Sequence, residues 1–543
     1  MPRLLVLLLT MTAVLSVSAE DPQTAVSVEN RGARSSAAGS DKVATPEFDD
    51  SKTVLELSLR DAVRTALRNN VNVKIEELNR QISRRDLIIQ KAVFDPYFNV
   101  GFSQSKNRDP TVSPFVLGSG VFLGVAVNPF EATTGNAGFR GNTVLGSTYS
   151  LSLVEDRFDN PEASFFSLNP QYRTRVQVNL TQPLLKNAWY DYNSANIRVA
   201  KNNRLLSEEQ LNAVASDTIY NVILAFWELV FAHENFRAKI NALGVAEEQL
   251  RIDRRRVEIG QMAEIDLTTP ESQVARRKTE LDDAQSALET ARDDLLYRMN
   301  FSGARSLRRL WSDGRTESPF QSIQIVPVTP PNMEPVAAER TASLELAFSR
   351  RPECARLEID IRNQRIQVGQ ARNQLLPNLD VTASWAQAGL DNETGSSFGT
   401  LEEGRFYSWT VGLQFEVQLP FRGRVNTYHN SRDSLRQLEF QKQDLENTIV
   451  IEVDQSIRDL EFAYRAVQNL GAEVRVQESL LGAERSKLRV GTSDAYTVSQ
   501  IENDLIDVRA RELRAQTDFE NTKAAYEKAV GGLLETWGGV GIP

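Results

Sequence analysis

The chain has 543 residues, 41% hydrophobic content and a formal net charge of -10, with one cysteine and two histidines. The acidic balance argues against a nucleic-acid binder, and Cys354 alone forms no internal disulfide. No Ser-His-Asp arrangement, CxxC, HExxH or Gly-rich phosphate loop is found, so neither an enzyme, a cofactor nor a metal site is expected.

Met1 to Ala19 has an early positive charge at Arg3, an apolar run from Leu4 to Val17, and small residues before Glu20. This pattern predicts a cleaved secretory signal over 1–19, because the run is short for a membrane anchor. No cysteine follows it, which argues against a lipoprotein. A polar, Ser/Ala-rich leader is expected over 20–53. Beyond it no stretch of roughly 18 apolar residues predicts a spanning helix.

The rest of the chain repeats itself. One constant offset takes Gly260 to Gly491, Glu271 to Glu502, Val222 to Val453 and Leu229 to Leu460. A second, longer offset takes Ala66 to Ala347 and Pro96 to Pro377. Repeats are therefore expected over 54–303 and 341–534, with a Pro-rich crossover at 304–340 and a tail at 535–543. Each repeat runs helix, Pro, strand, second strand ending in Pro, and long helical hairpin. The first helices are expected over 59–94 and 341–376.

Strands are expected over about 97–105, 174–183, 378–388 and 405–419. Val176, Val178 and Leu180 alternate with polar residues, as do Trp409, Val411, Leu413, Phe415, Val417 and Leu419. Such alternation gives each strand one apolar and one polar face. It fits either a half-buried sheet or a membrane barrel whose apolar face meets lipid. Four strands cannot close a barrel, and an open edge in lipid strands backbone polar groups. Several chains would then have to share one barrel. Between its strands the first repeat has an insert, around Ser105 to Tyr172, rich in Gly, Asn, Pro and Phe as surface loops are. Thr148 to Val154 alternates like a strand inside it, and belongs either to a barrel or to a loop.

Helical hairpins are expected over 191–300 and 425–534. Their outgoing limbs could approach about 90 to 100 Å, which suggests coiled-coil packing. Gly260 and Gly491 stand where each outgoing helix must reverse. Basic residues precede each Gly, where they favour the helix dipole. Asp266 and Thr497 are expected to cap the returning helices.

With its twofold repeat, strand exits QPLL and LPF, and reversals RVEIGQMAEIDL and KLRVGTSDAYTV, the chain resembles the outer membrane efflux proteins, the TolC-like channel-tunnels, over about 54–534. The resemblance implies an α+β membrane protein in the cell outer membrane, extending into the periplasm. It would be a homotrimer, sharing a 12-stranded antiparallel β-barrel in outer membrane lipid and a long α-helical coiled-coil barrel. It further implies a passive export duct of a tripartite efflux or type I secretion system, opened by a periplasmic adaptor and an inner-membrane transporter. The hairpin tips would carry the aperture and adaptor contacts, at Gly260, Glu264, Asp266, Gly491, Asp494, Thr497 and Gln500. Where acidic residues ring the aperture in the family this sequence has Thr497 and Gln500, while Asp266 matches. Leu488 and Ser493 replace the tyrosine and arginine that lock some members. The alternative is a periplasmic coiled-coil structural or adaptor protein without a membrane barrel.

Overall fold

A computed structural model of the chain describes residues 53–111, 115–117, 120–122, 126–160, 168–300, 323–490, 492–493 and 495–538. The expected signal, nearly all of the leader, residues 304–322 of the crossover, and Gly491 and Asp494 lie outside the described residues.

Strand β1 (Thr53–Leu57) leads into α1 (Leu59–Asn69), where the Ser58 side chain accepts from the Asp61 amide and caps the first turn. Leu59, Ala62, Val63, Ala66 and Leu67 form its buried stripe. The helix expected over 59–94 is interrupted. Asn70 adopts an extended ψ of 131°, and its side chain accepts from the Asn72 and Val73 amides to start α2 (Val71–Ala92). In the second half the helix expected over 341–376 breaks at the corresponding place. There α5 (Arg340–Arg350) gives way to α6 (Pro352–Asn373), because Pro352 disfavours helical geometry at Arg351 yet suits the first position of a new helix. Both α5 and α6 start and end at the offset from α1 and α2 that also relates Ala66 to Ala347.

The strands of one sheet follow. They are β2 (Tyr97–Thr111), β5 (Ala126–Asn142), β6 (Thr148–Asp159), β7 (Gln171–Pro183), β9 (Asn378–Asp391) and β10 (Phe406–Glu416). A small pair, β3 (Phe115–Leu117) and β4 (Gly120–Phe122), lies between β2 and β5 in the chain. The large sheet is antiparallel throughout, in the order β10-β9-β7-β6-β5-β2. Six strands stand where four were expected, because the insert supplies β6, whose stretch from Thr148 to Val154 the sequence leaves open between barrel and loop, and also β5. Its glycines and asparagines hid the pattern: Gly135, Gly138 and Gly141 all lie within β5. At the other edge β10 ends at Glu416, so Val417 lies just outside the strand.

The turn joining β5 to β6 is tied to the end of the sheet where the long helix begins. Thr143 and Ser147 close it, and Leu145 O accepts from the Trp189 amide at 3.0 Å. Gly146 has φ +92°, and a Cβ there would sit 2.5 Å from the Asn187 carbonyl oxygen. Gly146→Ala should therefore destabilise the sheet by about 1–3 kcal/mol, read as a lowered unfolding midpoint. An unchanged midpoint would show the turn to be slack.

A single turn at Tyr190–Asn193 opens α3 (Ala195–Glu258), 64 residues or about 96 Å long. After a short 3-10 turn (Glu264–Leu267), α4 (Thr268–Met299) returns along it. Strand β8 (Ile323–Pro327), in the expected crossover, pairs parallel with β1. Between β9 and β10 lies α7 (Thr394–Glu402), whose Ser397 meets Thr174 of β7 at 2.6 Å. Next come α8 (Arg422–Arg489), 68 residues long, α9 (Ala495–Val530) and α10 (Leu533–Gly538).

The core lies where α1, the middle of α3, the end of α4 and the β1/β8 pair meet. Val63, Ile219, Phe226, Leu229, Leu295 and Met299 are almost wholly buried there. Here α3 is mostly apolar, with Asp217, Asn221 and Glu228 as its exposed polar edge, and by length and composition it would pass for a membrane-spanning helix. More than half of its most apolar window (56%) is buried against other elements, so protein packing explains the composition. The offset pairs Ala66/Ala347, Val222/Val453 and Leu229/Leu460 are buried in both halves.

Candidate functional site

Two features invite function: the helical tips and the two-faced sheet. At the first tip α3 ends in a paired hydrogen-bond closure. Gly260 N–H donates to Val257 O at 2.9 Å and Gln261 N–H to Arg256 O at 2.8 Å, with Gly260 at φ +76°. This is the Schellman arrangement, which needs a left-handed residue after the helix. The second tip has the matching outer bond, Thr492 N–H to Lys487 O at 3.0 Å. Gly260→Val should cost about 1–2 kcal/mol at the tip, since β-branched residues resist positive φ. Faster protease cleavage near residue 260, with the core intact, is the expected readout.

Cross-limb ion pairs hold both tips. Arg254 reaches Glu271 at 2.9 Å, and Arg485 reaches Glu502 at 2.6 Å. At the adjoining positions, buried Asp253 meets Arg256 at 3.3 Å and buried Glu484 meets Lys487 at 3.0 Å. Each member of the second set is related to its counterpart by the same offset that takes Gly260 to Gly491. That offset had already singled out Glu271 and Glu502; their basic partners needed the hairpin geometry.

Two of the expected caps are placed otherwise. Asp266 sits exposed inside the 3-10 turn, and α4 begins after Leu267 with no side-chain cap. Thr497 lies in the first turn of α9, which starts at Ala495, and Gln500 lies one turn on. A short 3-10 segment and an earlier helix start moved both boundaries. Glu264 is exposed beside Asp266. Ser493 donates to Glu484 at 2.6 Å, and Leu488 is 37% exposed.

The two returning limbs lie side by side. Ser499 donates to Gln273 at 3.2 Å, and Arg277 donates to Asn503. In the first hairpin, Glu280 takes Arg277 of its own limb at 2.7 Å and Lys239 of the other limb at 3.1 Å. Burial pushes its carboxyl pKa up, but the two cationic donors outweigh burial and hold it at about 2. A lowered folded-state value adds stability that is complete above about pH 4.5 and is lost as pH falls toward 2. Glu280→Gln should therefore lose up to about 3 kcal/mol at neutral pH and nearly nothing at pH 2. An equal loss at both pH values would contradict the ion-pair account.

In the sheet, directly paired residues share a face. One row runs Phe98, Phe139, Leu151, Val178, Trp385, Trp409 across all six strands. Val176, Leu180, Val411, Leu413 and Phe415 have the same parity. Val411, Leu413 and Phe415 are each more than 60% exposed, so a broad apolar face meets no other part of the chain. The opposite face is polar, with Asn179 donating to Ser150 at 3.0 Å and Thr134 to Asp156 at 2.8 Å.

Residues 343–532 match the family model for outer membrane efflux proteins. Over those residues the chain resembles the outer membrane efflux proteins. It is 24% identical over 251 residues to the cobalt-zinc-cadmium resistance protein CzcC of Cupriavidus metallidurans, covering 44% of this chain and 55% of that relative's length. Its fold is similar to the open state of the Neisseria gonorrhoeae outer membrane channel MtrE, with TM-score 0.59, 15% identity, and coverage of 91% of this chain and 96% of the channel. The outer membrane protein VceC of Vibrio cholerae gives TM-score 0.58 and 13% identity, with 87% and 96% covered. The fold, mostly helical, is that of outer membrane channel proteins.

Proposed function

We propose that the protein is the outer membrane channel of a tripartite export system. Three copies share a β-barrel in outer membrane lipid and a tunnel of helices across the periplasm, forming a passive duct. The observation that carries this reading is the six-strand apolar face. It is continuous, exposed and bounded by open edges, and it joins helices about 100 Å long at one end only. An apolar face of this kind suits lipid, and open edges in lipid require neighbouring copies.

A stripe on α2 supports the same assembly. Val71, Ile75, Leu78, Ile82 and Ile89 are all about half exposed at helical spacing, as a helix awaiting a neighbour would present them. Matching element boundaries and matching tip ion pairs support an internal duplication, which would give the helical barrel its near-sixfold symmetry. The tips, with Gly260, Glu264, Asp266, Thr497 and Gln500, are the surface for a periplasmic adaptor and an inner-membrane pump. No residue cluster in the described chain supplies energy coupling, so transport is driven by those partners.

The test is the mass of the purified protein in detergent together with conductance in a planar bilayer. A particle of three chains with large, steady pores is expected. A monomer without conductance would leave a periplasmic coiled-coil scaffold as the better account.

A further inference from the structure

The segment from Ala126 to Asp159 has a loop-like composition and shows strand alternation only at Thr148 to Val154, yet it forms two full strands of the large sheet. From this we infer that the barrel wall of the assembled protein holds eighteen strands, six from each copy, with the β5–β6 hairpin as part of the lipid-facing wall. The inference rests on the trimeric channel proposed above.

Four observations carry it. First, β6 is interior: it pairs with β5 on one side and β7 on the other, over eleven residue pairs from Thr148↔Thr181 to Phe158↔Gln171 with β7. Second, the hairpin continues both faces of the sheet. Phe139 and Leu151 stand in the apolar row between Phe98 and Val178, and Phe98 and Phe139 rings lie 4.9 Å apart. On the polar face Ser150 accepts from Asn179. Third, the turn at 143–147 returns to the helical end of the sheet, where Leu145 bonds Trp189. An external loop has no reason to make that descent. Fourth, the strand directions alternate through the sheet, so β10 of one copy meets β2 of the next antiparallel, the orientation that closes a barrel of alternating strands.

Six strands are too few to close alone, since small barrels start at about eight. With strands about 4.8 Å apart and tilted about 40°, eighteen strands give a diameter of about 36 Å, against about 24 Å for twelve. The wall would be of porin width.

The full chain with Cys354→Ser provides the test. A fluorophore is placed at Val411→Cys on β10, at Leu151→Cys on β6, or at Ser152→Cys beside it, and spin-labelled lipid is used as quencher after the trimer's mass is checked. Lipid quenching at 151 as strong as at 411, with at least fivefold weaker quenching at 152, is the expected result. Quenching at 411 but not at 151 would overturn the eighteen-strand wall and leave the channel intact. Absence of quenching at both, or a particle that is not a trimer, would overturn the channel reading and this inference with it. If Leu151→Cys fails to assemble, Leu153→Cys on the same face gives the same reading.

Discussion

Val411→Arg should keep the protein out of the outer membrane. Val411 lies mid-strand in β10, opposite Ala383, and is 66% exposed on the apolar face. An arginine in lipid at mid-depth costs about 2–4 kcal/mol in a barrel, and three copies in one assembly would raise this to roughly 6–12 kcal/mol. Thr410→Arg places the same charge on the polar face one residue away and should be tolerated. Outer-membrane fractionation and a heat-labile trimer band read the outcome. Equal behaviour of the two variants would contradict the assignment of faces.

Phe226→Ala should be the most damaging single truncation in the helical body. Phe226 is fully buried in α3 and meets Trp227 edge-to-face, with centroids 5.5 Å apart. Removing a buried Phe costs about 3–5 kcal/mol, combining lost transfer energy with the cavity left behind. The denaturant midpoint of the helical signal in detergent should fall accordingly. Ile259→Ala, at an exposed tip position (61%), should change it by under about 0.5 kcal/mol. A small effect at Phe226 would show that the surrounding helices collapse readily into the space.

Much of this architecture is legible in the residues. The two constant offsets tie together positions that prove buried in both halves, such as Ala66 with Ala347 and Val222 with Val453. Long helical limbs and the reversal at Gly260 follow from 3.6-residue periodicity and from the single left-handed position that reversal needs. The alternation of β7, β9 and β10 is equally plain. What stayed hidden depends on partners distant in sequence. Residues of β5 look like a loop because their apolar parity is diluted by glycine, and only pairing with β2 and β6 makes them a strand. The Asn70 break depends on a side chain folding back on two amides, a local choice that the surrounding helical pattern masks. At the tips, Asp266 falls inside a four-residue 3-10 turn that precedes α4 and so does not cap that helix. Arg254 and Glu271 become neighbours only when the limbs fold together.

The central claim is that several copies of this sheet close into one barrel within the membrane. Single-particle imaging of the full chain in a lipid nanodisc tests it most directly. The account predicts a threefold particle with the strands inside the disc, the apolar row of Phe98 to Trp409 facing lipid, and the helical hairpins projecting from one side. A single copy, or a sheet lying outside the disc, would contradict it.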